Sequence, residues 1–182
     1  MGLWDKLRSS SRQAPGTEAE ARSRFVWSRN MHLRVAAPVG AGWDVMEAGP
    51  HDDGLLAAFR CMRGEPPDAV ALNAYVYRLP PDRRPGVEEL CRQDWKARWL
   101  GSTFAQVDAV AVAAPTRAGV ERGCEVQIDG RARDSGRPLR VRERQVPAGE
   151  RLLVVSAAGP PELLDRFSAV VDVWLCSTTL GS

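Results

Sequence analysis

The chain has 182 residues, 44% of them apolar, and a formal net charge of +2, which suits one globular domain that needs no metal or disulfide staple. Its positive charge is almost all arginine, with lysine only at Lys6 and Lys96, and acidic residues nearly balance it, so the single-sign stripe that nucleic acid requires is not evident and no nucleic-acid partner is expected. No stretch reaches the ~18 apolar residues of a membrane span, and the opening Met1-Gly2-Leu3-Trp4-Asp5-Lys6-Leu7 lacks the apolar run of a signal peptide, so a cytoplasmic location without stable membrane insertion is expected.

Residues 1–24 read as a flexible N-terminal arm. Leu3, Trp4 and Leu7 share one helical face, and Ser9 to Thr17 have loop composition; the arm either docks on a partner or membrane surface or frays. Residues 25–178 then form a single domain, with 179–182 as a C-terminal tail. Strands are predicted over Met31–Ala36, Trp43–Glu47, Leu55–Met62 and Ala69–Arg78. In the last of these Val70, Leu72, Ala74 and Val76 alternate with Asn73, Tyr75 and Tyr77, the less apolar face. Leu79-Pro80-Pro81-Asp82 ends that strand, because proline cannot donate to a ladder and restricts its predecessor.

A helix is predicted from about Pro85 to Leu100, with Val87, Leu90, Cys91, Trp95 and Trp99 on one stripe and Gly101 as its stop. Four further strands follow: Phe104–Ala113, Gly119–Asp129, Leu139–Val146 and Arg151–Ala158. The middle two make a hairpin in which pairing Ile128 with Leu139 sets Val126 opposite Val141, Glu125 opposite Arg142 and Gln127 opposite Arg140. Leu152 to Val155 are apolar at four successive positions, which places that strand centrally in the sheet with both faces partly covered. A second helix after Gly159-Pro160-Pro161 aligns Leu163, Leu164, Phe167, Val170, Val171, Trp174 and Leu175. The fold class is therefore α+β, an antiparallel sheet of about six to eight strands flanked by two main amphipathic helices.

No catalytic residue, metal ligand set or cofactor motif is evident in the sequence. Cys61, Cys91, Cys124 and Cys176 are far apart and read as small buried hydrophobes. His32 and His51 have no cysteine or second histidine at ligand spacing, and His51-Asp52-Asp53-Gly54 reads as a turn. Val39-Gly40-Ala41-Gly42 precedes a strand rather than a helix, so it offers no helix N-terminus to a phosphate. Glu88 and Glu89 stand in a helix first turn, and Glu121 and Glu125 have arginines opposite, so structural roles suffice for both pairs.

The order of elements resembles the fold family of the photosystem subunit PsbP and the Ran-binding Mog protein, which includes bacterial DcrB-like domains. The resemblance is carried by Leu152 to Pro161 leading into Phe167, Val170, Val171 and Trp174, with support from Val87 to Trp99 and from Arg140-Val141-Arg142-Glu143-Arg144. It implies a non-catalytic binding protein, an adaptor, assembly factor or chaperone; some DcrB-like members are similar to cytoplasmic chaperones that hold hydrophobic helices of type VI secretion effectors. The partner implied is a protein, and the expected contact is the face bearing Asn73, Tyr75 and Tyr77, since aromatic side chains with polar tips are common at interfaces. A helix covering those tyrosines is the competing expectation. A structural assembly component and an unrecognised enzyme are the alternative functions, and a homodimer stays open.

Overall fold

Two aliphatic strand faces that need covering organise the structure, a computed structural model that describes residues 24–29, 32–39, 42–48, 54–118 and 121–181. The arm positions Leu3, Trp4 and Leu7, and the turn residues Gly40 and His51 to Asp53, lie outside the described residues. Among the described residues ten strands occur in chain order: β1 (Arg24–Arg29), β2 (Leu33–Val39), β3 (Trp43–Ala48), β4 (Leu55–Arg63), β5 (Val70–Arg78), β6 (Phe104–Ala118), β7 (Glu121–Ala132), β8 (Pro138–Ala148), β9 (Arg151–Gly159) and β10 (Thr179–Leu180). Four short helices among the same residues, α1 (Val87–Arg92), α2 (Trp95–Trp99), α3 (Pro161–Arg166) and α4 (Ser168–Ser177), accompany them in an α+β fold.

The main sheet is antiparallel and seven-stranded, in the order β3-β4-β5-β9-β8-β7-β6. β9 is its middle strand, where a segment apolar at successive positions belongs. One face carries Phe59, Leu72, Val76, Leu153 and Val155 and is closed by α3, α4 and the inward side chains of β2, with Trp174 fully buried at its centre. The indole Nε1 of Trp174 donates to the Ser156 carbonyl at 3.2 Å, and its ring lies 6.2 Å from that of Phe59. β2 is the middle strand of a second sheet, β1-β2-β10; β10 thus pairs into the fold from the segment that reads as a tail in sequence. On the opposite face, α1 and α2 cover a smaller core of Leu90, Trp95, Phe104, Cys124, Ile128 and Val141.

Each predicted helix is in fact a pair. The first breaks at Gln93, whose ψ of 153° is extended, and Asp94 restarts it by accepting the Ala97 N–H at 2.9 Å, the role of an N-cap. The apolar stripe runs across this break, with Leu90 and Trp95 buried. Gly101, at φ +81°, supplies the left-handed residue that ends α2. The second helix breaks at Phe167, which has φ −101° and ψ 19°.

The β7–β8 hairpin is offset by two residues from its predicted register. Ile128 pairs with Val141 and Gln127 with Arg142, while Leu139 falls opposite Gly130. β7 continues through Ala132 and β8 begins at Pro138, so the turn is shorter than its composition suggests. A shift of two preserves the faces, and Glu125 still reaches Arg142 at 2.9 Å, now on a diagonal. Arg142 also pairs with Asp172 of α4 at 2.7 Å, and Arg140 bridges Asp129 at 2.6 Å and Asp165 of α3 at 2.8 Å. The pairs to Asp165 and Asp172 cross from the sheet to the C-terminal helices but end on exposed carboxylates, so they orient those helices more than they stabilise them. Among the cysteines, Cys61 and Cys124 are buried as expected, whereas Cys91 is half-buried and Cys176 is exposed. Burial pushes both buried thiols up to about 12, with Cys91 adding to the rise at Cys124, so neither is a reactive thiolate at neutral pH.

A candidate binding cleft on the open half-sheet

Alternation along β5 points Val70, Leu72, Ala74 and Val76 into the larger core and leaves Ala71, Asn73, Tyr75 and Tyr77 half-buried on the other face. That second face is only half covered. α1 and α2 pack over β6, β7 and β8, and among the described residues no helix lies over β3, β4 and β5. The Tyr75 and Tyr77 rings lie side by side, 6.1 Å apart and tilted by 32°. Each has an apolar neighbour on β9, Val154 beside Tyr75 and Leu152 beside Tyr77.

The tyrosines form one side of a cleft of about 330 Å³ whose other side is Arg98, Trp99 and Ser102, at the end of α2 and the turn after it. Glu143 of β8 also lines it, although the residue is 97% removed from solvent (3% exposed). Gln145 Nε2 donates to Glu143 Oε1 at 2.6 Å, Gln93 Nε2 donates to Gln145 Oε1 at 3.4 Å, and the Arg98 guanidinium stands 4.0 Å from Glu143. Burial raises the Glu143 pKa above the usual carboxylate range, opposed by the Gln145 hydrogen bond and the Arg98 charge.

Asn73 is on the same face but lines neither this cleft nor a second depression of about 580 Å³ beside it. It belongs instead to a polar row across the strands, Arg60 and Ser156 being its neighbours and Glu143 following on β8. The second depression is floored by Met62, Ala71 and Ala158, is rimmed by Arg60 and Arg137, and meets the first at Ser102. Met46, 53% exposed, lies farther out on β3, opposite Arg60. The open half-face is therefore a polar row between two more apolar ones, bordered by arginines.

Tyr75 and Tyr77 of the expected contact face line the cleft, whereas its opposite wall has no counterpart among the residues expected there. Trp99 reads in sequence only as part of a core stripe. Glu143 had a legible signal: it follows Val141 by two positions, so it shares the inward face that Val141 occupies. Among the described residues, no group of three or more His, Cys, Asp or Glu side chains is arranged to hold a metal ion, and no helix is long and apolar enough to cross a membrane.

A seven-stranded antiparallel sheet with helices on both faces and a middle strand leading into the C-terminal helices is a PsbP-like α+β fold. No family model and no curated protein matches the sequence. Among solved structures the chain is similar to LpqN of Mycobacterium tuberculosis, a protein involved in cell envelope biogenesis, with a TM-score of 0.53 and 12% identity over 100% of this chain and 98% of that one. It is similar to the cyanobacterial PsbP, CyanoP, of Synechocystis sp. PCC 6803, with a TM-score of 0.53 and 11% identity over 92% of this chain and 98% of that one. At these identities the likeness is one of fold.

Proposed function

We propose that the chain is a non-catalytic protein-binding module that holds an apolar helix of a partner protein on the open half of its sheet, as a cytoplasmic adaptor or chaperone of a bacterial secretion effector. The observation that carries this reading is the half-covered second face, where Tyr75, Tyr77, Trp99 and Leu152 meet in one cleft. Amphipathic aromatic rings with few rotors give contact area at low entropic cost, and the neighbouring Met62 and Met46 supply adaptable apolar surface. Glu143 has its hydrogen bond and its nearest cation inside the protein, which suits a positioning role in the cleft wall better than proton transfer to a substrate.

The test is co-expression of the full chain with effectors from neighbouring reading frames. An effector with apolar helices is recovered by the wild type, and recovery falls by about tenfold or more with Tyr75→Ser/Tyr77→Ser, the loss of a central aromatic anchor. Equal recovery of an effector stripped of those helices, or equal recovery by the double variant, refutes the mechanism. A structural assembly component is the second reading, and the exposed edge of β6 favours it.

A further inference from the structure

β6 ends the seven-stranded sheet: β7 pairs with one side of it, and no described strand pairs with the other. Such an edge leaves alternate N–H and C=O groups directed outward as a template for another strand, which proteins ordinarily blunt with charge, proline or a bulge. β6 has none of these over its middle. Residues 109 to 113 read Ala-Val-Ala-Val-Ala, and every one is exposed, with Val110 at 37% and Val112 at 41%. Register shifts against β7 bracket this run, between Val107 and Ala109 and between Ala113 and Thr116, and leave the run itself regularly paired from Ala109↔Asp129 to Ala113↔Glu125.

The run is also a palindrome about Ala111. Reversal of direction is what an antiparallel partner of identical sequence imposes, and a two-fold contact must be self-complementary. With the axis through Ala111, Val110 falls opposite Val112 of the second copy, and Ala109 opposite Ala113 of the second copy. The valines lie on the face of Val126 and Ile128, their partners on β7, so valine meets valine there and alanine meets alanine on the other face. Asp108, the nearest charge, falls opposite position 114, so no like charges oppose one another.

We propose that the chain forms a homodimer by antiparallel pairing of β6 with β6 of a second copy, with the two-fold axis at Ala111 and one continuous sheet through both copies. The contact is small, so the dimer is weak, dissociating at roughly 10–100 μM. The edge is at the far end of the sheet from β4 and β5, so the tyrosine cleft stays accessible in the dimer.

Sedimentation equilibrium of the full chain over a concentration series tests this. The wild type is expected to dimerise reversibly. Val110→Lys/Val112→Lys is expected to raise the dissociation constant by about tenfold or more, by setting like charges across the axis. Two further variants share Ala113→Glu and differ at position 109: Ala109→Glu is expected to weaken the dimer, and Ala109→Arg to restore it, because 109 faces 113 only in this register. Circular dichroism melts identify any variant that fails to fold, and the Glu/Arg comparison between folded variants then carries the test. A wild type that stays monomeric throughout, a dimer unaffected by the lysines, or equal weakening by the two position-109 variants would overturn the proposal.

Discussion

The two faces of the main sheet are finished to different degrees. One is closed by α3, α4 and β2 over a large aliphatic core, whereas the other is closed only over β6, β7 and β8, by two helices of six and five residues. An isolated helix of that length has no stability of its own, so α1 and α2 persist through their packing on the sheet, by Leu90 and Trp95 with Cys91 and Trp99 beside them. The closed face therefore holds the fold, and the half-closed face exposes aromatic surface beside a thin, weakly supported wall. Local opening of that wall is expected to cost less than opening of the main core.

Two substitutions separate these roles. Trp174→Ala removes the largest fully buried side chain of the closed face together with its hydrogen bond to Ser156. It is expected to lower the unfolding free energy by about 3–5 kcal/mol, read as an earlier urea midpoint for the whole molecule. Leu90→Ala strikes the second face under α1 and is expected to cost about 2–3 kcal/mol. Native-state hydrogen exchange should show its effect concentrated in α1 and α2, with the β4, β5 and β9 amides still protected. If instead Leu90→Ala loosened every amide equally, the two faces would be one cooperative unit and the comparison would fail.

Much of this division is legible in the sequence, and the failures have physical causes. Four successive apolar residues in β9, in a short segment bounded by Gly149 and by Gly159-Pro160-Pro161, read as a strand buried on both faces, so its central place is legible in the pattern. The alternation of Val70, Leu72, Ala74 and Val76 with Asn73, Tyr75 and Tyr77 likewise assigns the β5 faces. By contrast, the hairpin register escaped by two residues because a period-2 pattern is unchanged by a shift of two; only the length of the turn distinguishes the alternatives. The helix breaks escaped because the apolar stripe continues through Gln93-Asp94, and the decisive feature is the Asp94 cap within it. The cleft could be read only on one side. Its other wall unites Arg98 and Trp99 with Glu143, more than forty positions apart (143 − 98 = 45), and local periodicity carries no information about that meeting.

The smallest effect expected is at Glu143, where the covered and open halves of the second face meet. Its folded-state pKa is raised, first by burial and in spite of Gln145 and Arg98, so between its ordinary value of 4.5 and the raised value the native state binds more protons than the unfolded chain. Stability contributed by this group is therefore present at low pH and lost as pH rises through that window, the reverse of a salt-bridged carboxylate with a depressed pKa. Glu143→Gln keeps the side-chain shape and an acceptor for Gln145 while removing the charge. The variant is expected to match the wild type near pH 4 and to be the more stable of the two near pH 7, measured by urea unfolding at each pH. Equal stability of the two proteins across that range would mean that Arg98 fully compensates the buried carboxylate, and that Glu143 and Arg98 form a fixed ion pair across the cleft wall. Convergence at low pH alone identifies a wall that holds an ionised acid at a cost to the stability of the fold.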